Sequence, residues 1–139
     1  MKAPEYLSHK PIIAVNDYDK IDAIYANDTD VRALSIGQAQ YDTEELSVKI
    51  WRHTSEKWSR QSEEMPLHRA IDLNILIVAS ILTDVDSKYP MTSLREEIML
   101  EDRVPEIWQY YEDNKRMLRP RLEELRKILN VFFDREKSQ

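Results

Sequence analysis

Alternation of apolar and polar residues dominates the first part of the chain. Residues 34–41 and 46–53 alternate in this way, and the polar residues 42–45 between them are typical of a turn, so we expect a β-hairpin. A shorter β-branched run at 12–15 follows Pro11, which cannot donate to a neighbouring strand and favours a strand's first position. The N-terminal half therefore predicts a small antiparallel sheet.

Helical spacing of apolar residues replaces this alternation from Leu67 onwards. Glu63 and Glu64 suit the positive end of a helix dipole, and Pro66 suits a first turn, so we place the helix start near Ser62 or Met65. Other apolar residues fill much of the remaining helix surface, which predicts a helix at the buried centre of the domain. The residues at helical spacing are Leu67, Ala70, Ile71, Ile75, Val78, Ile81 and Leu82.

The C-terminal part predicts further helices. Thr92 or Ser93 caps a short helix that ends at Asp102, and Glu96 completes a capping box with Ser93. Pro105 opens a last helix, in which Pro120 predicts a kink or a break and hence a kinked helix or a helical hairpin. Its apolar stripe comprises Ile107, Trp108, Tyr111, Leu118, Leu122, Leu125, Leu129 and Phe132.

These elements predict the α+β class. We expect a small antiparallel sheet from the N-terminal half packed on a buried central helix, with C-terminal helices. The 139 residues provide one hydrophobic core, so we expect a single domain over 1–139.

Composition excludes several functions. A formal net charge of -6 argues against partners such as extended nucleic acid or anionic membranes. The longest apolar run, 73–82, is too short to span a bilayer. Zero cysteines exclude disulfides and thiolate chemistry and suit the cytoplasm. A single glycine, Gly37, excludes glycine-rich phosphate and dinucleotide loops, so no cofactor is expected, and it suits a bulge or a close backbone approach.

Cationic, aromatic and titratable side chains are concentrated in residues 49–72. Alternation places Lys49, Trp51 and His53 on one face of the second hairpin strand and Arg52 on the other. Arginine and lysine pair with phosphate and tryptophan offers a ring face, a combination that suits a phosphorylated ligand with an aromatic base. The predicted ligand-binding residues are Arg52, His53, Lys57, Trp58, Arg60, Gln61, His68 and Arg69.

A purely structural interpretation of the same residues stays open. Trp51 and Trp58 would then be core aromatics, and the arginines would pair with surface acids. Glu64, His68 and Asp72 stand four residues apart and would line one helix face, where they could hold a divalent metal. One helix rarely supplies a complete set of metal ligands, so no metal site is predicted.

A catalytic interpretation rests on His53-Thr54-Ser55. This tripeptide has the H-x-S/T form of two-histidine phosphodiesterases, whose histidines perform acid–base chemistry. Those enzymes need the tripeptide twice, and neither His68-Arg69-Ala70 nor His9-Lys10-Pro11 supplies the hydroxyl. No catalytic residue is therefore predicted.

The run W-R-x-T-x-E-K-W-S-R-Q-S-E-E-x-P-L-H-R, from Trp51 to Arg69, resembles an uncharacterised family of small bacterial proteins. The resemblance extends back through His9-Lys10-Pro11, Tyr18-Asp19 and Ser35-Ile36-Gly37 and covers about the N-terminal half. It implies no activity, cofactor or catalytic residue.

The sequence as a whole predicts a non-enzymatic binding protein for a small anionic, nucleotide-like ligand, for example one that sequesters a nucleotide signal. The first alternative is an interaction module that forms homo-oligomers or docks a protein through the Trp108, Tyr110 and Tyr111 face or the final helix. The second alternative is a phosphodiesterase-type or metal-dependent hydrolase.

Overall fold

The computed structural model describes residues 1–54, 56–59, 63–84 and 90–137. The chain forms two compact units, Met1–Ile75 and Leu76–Gln139. The expectation of a single domain over 1–139 remains a prediction. The strands are β1 (Lys10–Asn16), β2 (Val31–Gln38), β3 (Leu46–Arg52) and β4 (Glu64–Pro66), and the helices are α1 (Leu67–Leu82) and α2 (Val104–Lys137). Short 3-10 turns occupy Tyr18–Lys20, Ala23–Tyr25 and Glu101–Arg103. The predicted α+β class is confirmed.

The sheet is antiparallel throughout, with strand order β1-β2-β3-β4. The predicted hairpin is β2 and β3, in which Leu34 lies opposite Ile50 and Ile36 opposite Val48. The predicted first strand is β1, and its register with β2 shifts between Pro11 and Ile13. Local patterns were therefore sufficient to identify the first three strands: alternation for β2 and β3, and a β-branched run for β1.

Gly37 lies at a close approach of β1 to β2. Pro11 is its partner in the register, and a Cβ at Gly37 would lie 2.8 Å from Pro11 Cα and overlap the Lys10 carbonyl. The predicted close backbone approach is confirmed, because only glycine leaves room for the neighbouring strand here.

The polar face of the sheet is more deeply buried than the apolar face, which is the reverse of the usual arrangement. The face that carries Ser35, Ser47 and Lys49 is buried, whereas Leu34 and Ile36 on the apolar face are only half-buried. The apolar face forms one wall of an open cleft of about 910 Å³, to which the first half of α1 contributes Ala70, Leu73 and Asn74. The polar face of this sheet is therefore the more buried of the two.

The prediction that α1 is the buried centre of the domain is wrong. Ile71 is 59% exposed and Leu82 is 58% exposed, and within the described residues of α1 only Ala79 is buried. The helix also begins later than predicted, at Leu67, because residues 64–66 pair with β3 as a strand. The apolar side chains of α1 are spread around most of its circumference, and one face of a small sheet cannot cover all of them.

The connection before α2 also differs from the prediction. Residues 90–100 contain no helix, and the Glu96 carboxylate instead accepts hydrogen bonds from the backbone N–H groups of Met91 and Thr92 and from the Thr92 hydroxyl. Glu96 therefore fixes a loop and not a helix start, and it does so through Thr92, one of the two predicted caps, and not through Ser93.

A single long helix, α2, takes the place of the predicted helical hairpin. It continues through Pro120, so the predicted break is wrong. Pro120 and Arg116 are both exposed, so the Arg116 carbonyl that loses its helical partner remains accessible to water.

None of the helices among the described residues combines the length and the apolar character that crossing a membrane requires.

Candidate ligand-binding site

A pocket of about 530 Å³ opens on the polar face of the sheet, within the unit Met1–Ile75. We name it the Lys49 pocket, after the cation in its wall. Side chains from the N-terminal segment, from β3 and from the loop after β3 line it. The lining residues are Tyr6, Leu7, Ser8, Gln40, Lys49, Trp51, His53, Glu56, Lys57, Trp58 and Ser59.

Lys49 is the unusual member of this pocket because it is only 9% exposed. Its Nζ lies 4.2 Å from the centroid of the Trp51 ring. Among the residues that the structure describes, this ammonium forms no hydrogen bond and no ion pair. Burial lowers the pKa of Lys49 from its ordinary 10.5, and the negative charge of Glu64 opposes only part of that shift.

The aromatic side of the pocket is built at the end of β3. Trp51 is 1% exposed, and its ring meets the half-buried Trp58 edge-on, with centroids 5.7 Å apart. His53 also packs against Trp58, with centroids 4.8 Å apart. An isolated bridge between His53 and Trp58 and a hydrogen bond from Ser59 N to the Arg52 carbonyl hold the loop against the strand.

A hydrogen-bonded network centred on His9 supports the pocket from within the sheet. The Trp51 indole N–H donates to the Ser35 hydroxyl at 2.8 Å, and Ser35 lies 2.9 Å from His9 Nε2. His9 Nδ1 lies 3.0 Å from Glu64 Oε1, which also accepts a hydrogen bond of 2.6 Å from Ser47. With a proton on Nδ1, a neutral His9 satisfies every one of these bonds.

Burial and hydrogen bonding determine the charges in this network. Burial lowers the pKa of His9 below its ordinary 6.5, although the hydrogen bond and charge of Glu64 oppose that shift. Burial alone would raise the pKa of Glu64, but hydrogen bonds from Ser47, Gln40 and His9 outweigh it, so this pKa lies below 4.5. The network is therefore a neutral histidine beside an ionised carboxylate.

Ser35, His9 and Glu64 have the connectivity of a serine–histidine–carboxylate triad. Ser35 is only 6% exposed, and it borders the open cleft of about 910 Å³ but does not line the Lys49 pocket. Its hydroxyl is held between the Trp51 indole N–H and His9, so we assign this network to the support of Trp51.

Acidification below pH 6.5 is expected to destabilise the protein. In the folded state the pKa of His9 is below 6.5, so the unfolded chain binds more protons between the two pKa values. Stability is then lost as the pH falls through that window, with a slope of at most about 1.4 kcal/mol per pH unit for one proton. Urea unfolding at pH 7.5, 6.5 and 5.5 measures this slope.

Two variants separate His9 from the other titrating groups. His9→Gln should lower stability at pH 7.5 and flatten the slope between pH 6.5 and 5.5. His68→Gln, which replaces an exposed histidine of α1, should change neither. An unchanged slope in His9→Gln would contradict the assignment.

The structure brings together some of the residues predicted from sequence. His53, Lys57 and Trp58 all line the Lys49 pocket. Arg52 projects from the opposite face, where its guanidinium lies 2.7 Å from Asp30 and 3.0 Å from Glu63.

The other predicted residues lie elsewhere. His68 and Arg69 are exposed on α1 and do not line this pocket. Arg60 and Gln61 lie outside the described residues.

The arrangement considered for a metal does not form. Glu64 belongs to β4 and bonds to His9 and Ser47, so it does not share a helix face with His68 and Asp72. Over the described ranges, no group of three or more histidine, aspartate or glutamate side chains is placed to hold a metal ion.

Sequence reasoning missed Lys49 and His9 as site-forming residues. Alternation placed Lys49 beside Trp51, but the burial of Lys49 depends on residues of the N-terminal segment that are distant in sequence. His9 meets partners that are 26, 38 and 55 residues away along the chain. No local pattern reports contacts of that separation.

The chain belongs to the DUF6530 family, a family of unknown function, which matches residues 1–97. This match extends further towards the C-terminus than the sequence resemblance and contains every residue of the Lys49 pocket. No curated protein and no solved structure shows significant similarity to the chain.

Proposed function

We propose that this protein binds a small anionic ligand with a planar aromatic group, such as a nucleoside phosphate, in the Lys49 pocket, without chemical conversion. The observation that carries the proposal is the Lys49 ammonium, which is buried in the wall of a pocket without a carboxylate partner among the described residues. A bound anion would supply the missing partner.

The energetic argument concerns the cost of burying a charge. A buried ammonium loses hydration, and proteins ordinarily compensate with an ion pair and hydrogen bonds. The Trp51 ring offsets part of the cost, because a cation over an indole gains about 0.5–2 kcal/mol. An anion in the pocket would offset more of this desolvation cost. The unliganded protein therefore retains part of the cost of burying the Lys49 ammonium, and ligand binding would reduce it.

The remaining lining favours an aromatic group on that anion. The half-buried indole of Trp58 and the ring of His53 line the pocket, and Lys57 adds a second cation that is exposed. A volume of about 530 Å³ lies within the range of roughly 300–1,000 Å³ typical of small-molecule sites. A phosphate near Lys49 and a base against Trp58 would use both chemistries.

The hydrolase alternative receives less support from the same geometry. A two-histidine mechanism needs two histidines at one phosphodiester. His53 lines the Lys49 pocket, whereas His68 is exposed on α1 and does not line it.

Replacing Lys49 with methionine should abolish binding without loss of folding. Methionine keeps the length of the side chain but removes the desolvated charge, so the unliganded variant should be at least as stable as the original protein. A ligand at a hundred times its Kd stabilises the folded state by about 2.7 kcal/mol, and this increment should disappear. Thermal unfolding with and without AMP measures both quantities.

Ligand fragments and two control variants make the experiment specific. AMP should raise the melting temperature more than adenosine or inorganic phosphate alone. Lys2→Met, at an exposed lysine of the same unit, and Arg69→Ala, on α1, should keep the full response. If nucleotides, sugar phosphates and inorganic phosphate all leave the melting temperature unchanged, the proposal is wrong.

A further inference from the structure

Along one face of α2, nine residues follow a continuous heptad pattern. We name this set of residues the seam. Its members are separated alternately by four and three residues, the spacing of a and d positions in a coiled coil. All of them are apolar except Lys115. The seam residues are Val104, Trp108, Tyr111, Lys115, Leu118, Leu122, Leu125, Leu129 and Phe132.

Val104 of the seam is buried and its five central residues are half-buried, whereas the three others are exposed. Trp108 is 47% exposed, Leu129 is 44% exposed and Phe132 is 54% exposed. α2 has 34 residues and is therefore about 51 Å long at 1.5 Å per residue. Most of a helix's stability in a protein comes from the packing of its apolar face. We therefore expect a long helix with a partly exposed apolar seam to pack against a second helix along that seam.

We propose that the seam pairs with the α2 of a second copy of this chain as an antiparallel coiled coil. This proposal is independent of ligand binding and concerns only residues of the unit Leu76–Gln139. The direction follows from the charges on and beside the seam.

A parallel pair would place like charges together. The two copies of Lys115 would face one another across the seam, and Arg121 at the g position would face Arg126 at the e position of the second copy. An antiparallel pair centred between Leu118 and Leu122 places Lys115 opposite Leu125 and so separates the two copies of Lys115. It also removes the contact between Arg121 and Arg126, although each Arg121 then faces Arg121 of the second copy.

The antiparallel register also matches side chains in size. Leu118 lies opposite Leu122 at the centre, and Trp108 lies opposite Phe132 at each end. The aliphatic part of Lys115 covers the seam while its ammonium, 3.6 Å from Glu112 of the same helix, remains at the edge.

The flanks of the seam support the same register. Glu112 at an e position faces Arg126 of the second copy, and the two-fold symmetry makes this contact twice. Arg119 and Arg121 would each face their own copy near the centre, and of these two the charge of Arg119 is already paired with Glu123 at 2.9 Å. Pro120 falls at the f position, on the side of α2 away from the seam.

The size of the contact fits a dimer that dissociates on dilution. In this register the matched positions run from Trp108 to Phe132, over about 36 Å, and a helix is about 10 Å wide. The projected contact is therefore on the order of 400 Å² on each copy, and side chains that interdigitate bury more accessible surface than this projection. A standard interface buries about 800 Å² on each partner, so this contact belongs to the small interfaces that are typical of weak association.

Light scattering on the full chain, from low to high micromolar concentration, tests the pairing. The mass should rise from monomer to dimer, and Leu122→Lys, which places a charge at the centre of the seam, should shift the midpoint at least tenfold upwards. Lys127→Glu, at an f position, should leave the midpoint within about twofold. A mass that stays monomeric at every concentration would overturn the proposal.

Disulfide trapping tests the direction in a way that does not depend on Leu122→Lys remaining folded. The chain has no cysteine, so each introduced thiol is unique. A mixture of Lys115→Cys and Leu125→Cys should yield the mixed disulfide dimer, whereas Lys115→Cys alone should not, because its two thiols would be about 15 Å apart along the helices. Efficient disulfide formation by Lys115→Cys alone would overturn the antiparallel assignment.

Discussion

Trp51→Ala should lower the free energy of unfolding by about 3–5 kcal/mol, the range for removal of a buried aromatic side chain. Trp51 is 1% exposed and contacts Lys49, His9 and Trp58, so the variant loses apolar burial and leaves a cavity. It also leaves the Ser35 hydroxyl without its indole donor. Urea unfolding followed by circular dichroism measures the change without relying on tryptophan fluorescence.

Trp51→Phe is the matched control for this prediction. It retains most of the ring's burial but removes the indole N–H, so it should cost clearly less than Trp51→Ala and still destabilise, by about 1–3 kcal/mol. Equal losses for both variants would mean that the hydrogen bond to Ser35, and not the packing, determines the effect. A loss below about 1 kcal/mol for Trp51→Ala would contradict the burial described for this ring.

Gly37→Ala should destabilise the sheet by at least about 1–3 kcal/mol, the usual cost of overpacking. The added methyl would overlap the Lys10 carbonyl and lie 2.8 Å from Pro11 Cα. Both obstacles are backbone atoms of β1, so no side-chain rotation relieves the overlap and β1 must move away from β2. Urea unfolding measures the loss, and hydrogen exchange at the β1 amides should show faster opening of that strand.

Gln38→Ala provides the comparison for Gly37→Ala. It introduces the same side chain at the next position of β2, where the residue is half-buried on the other face, and should change stability by less than about 1 kcal/mol. If Gly37→Ala is equally mild, β1 does not approach β2 as closely as described.

The sequence predicted the elements whose signal is local. Alternation in 34–41 and 46–53 gave the hairpin, and the same alternation correctly separated Lys49 and Trp51 from Arg52. The long C-terminal helix followed from the apolar spacing, although Pro120 suggested a break that does not occur. An interior proline costs a helix about 3 kcal/mol, and α2 nevertheless stays one helix of 34 residues across Pro120.

The errors arose where burial depends on distant residues. Apolar content suggested that α1 is buried, but content alone does not show whether enough sheet surface exists to cover a helix. The prediction grouped His68 and Arg69 with His53 because they are close in sequence. In the fold, strand β4 comes between His53 and α1, the helix that carries His68 and Arg69. His9 lay outside the predicted site because its partners are remote in the chain.

The polar interior of the sheet has a consequence for how sequences related to this one can diverge. On the cleft side, Leu34 and Ile36 need only hydrophobic character, so apolar residues should replace one another there with little effect. His9 and Ser35 share one hydrogen-bonded network, in which a change at one position leaves a buried polar atom unsatisfied at another. Serine usually occupies surface positions that tolerate substitution. Ser35 should instead vary less among related sequences than Leu34 and Ile36, and it should change only together with its hydrogen-bond partners.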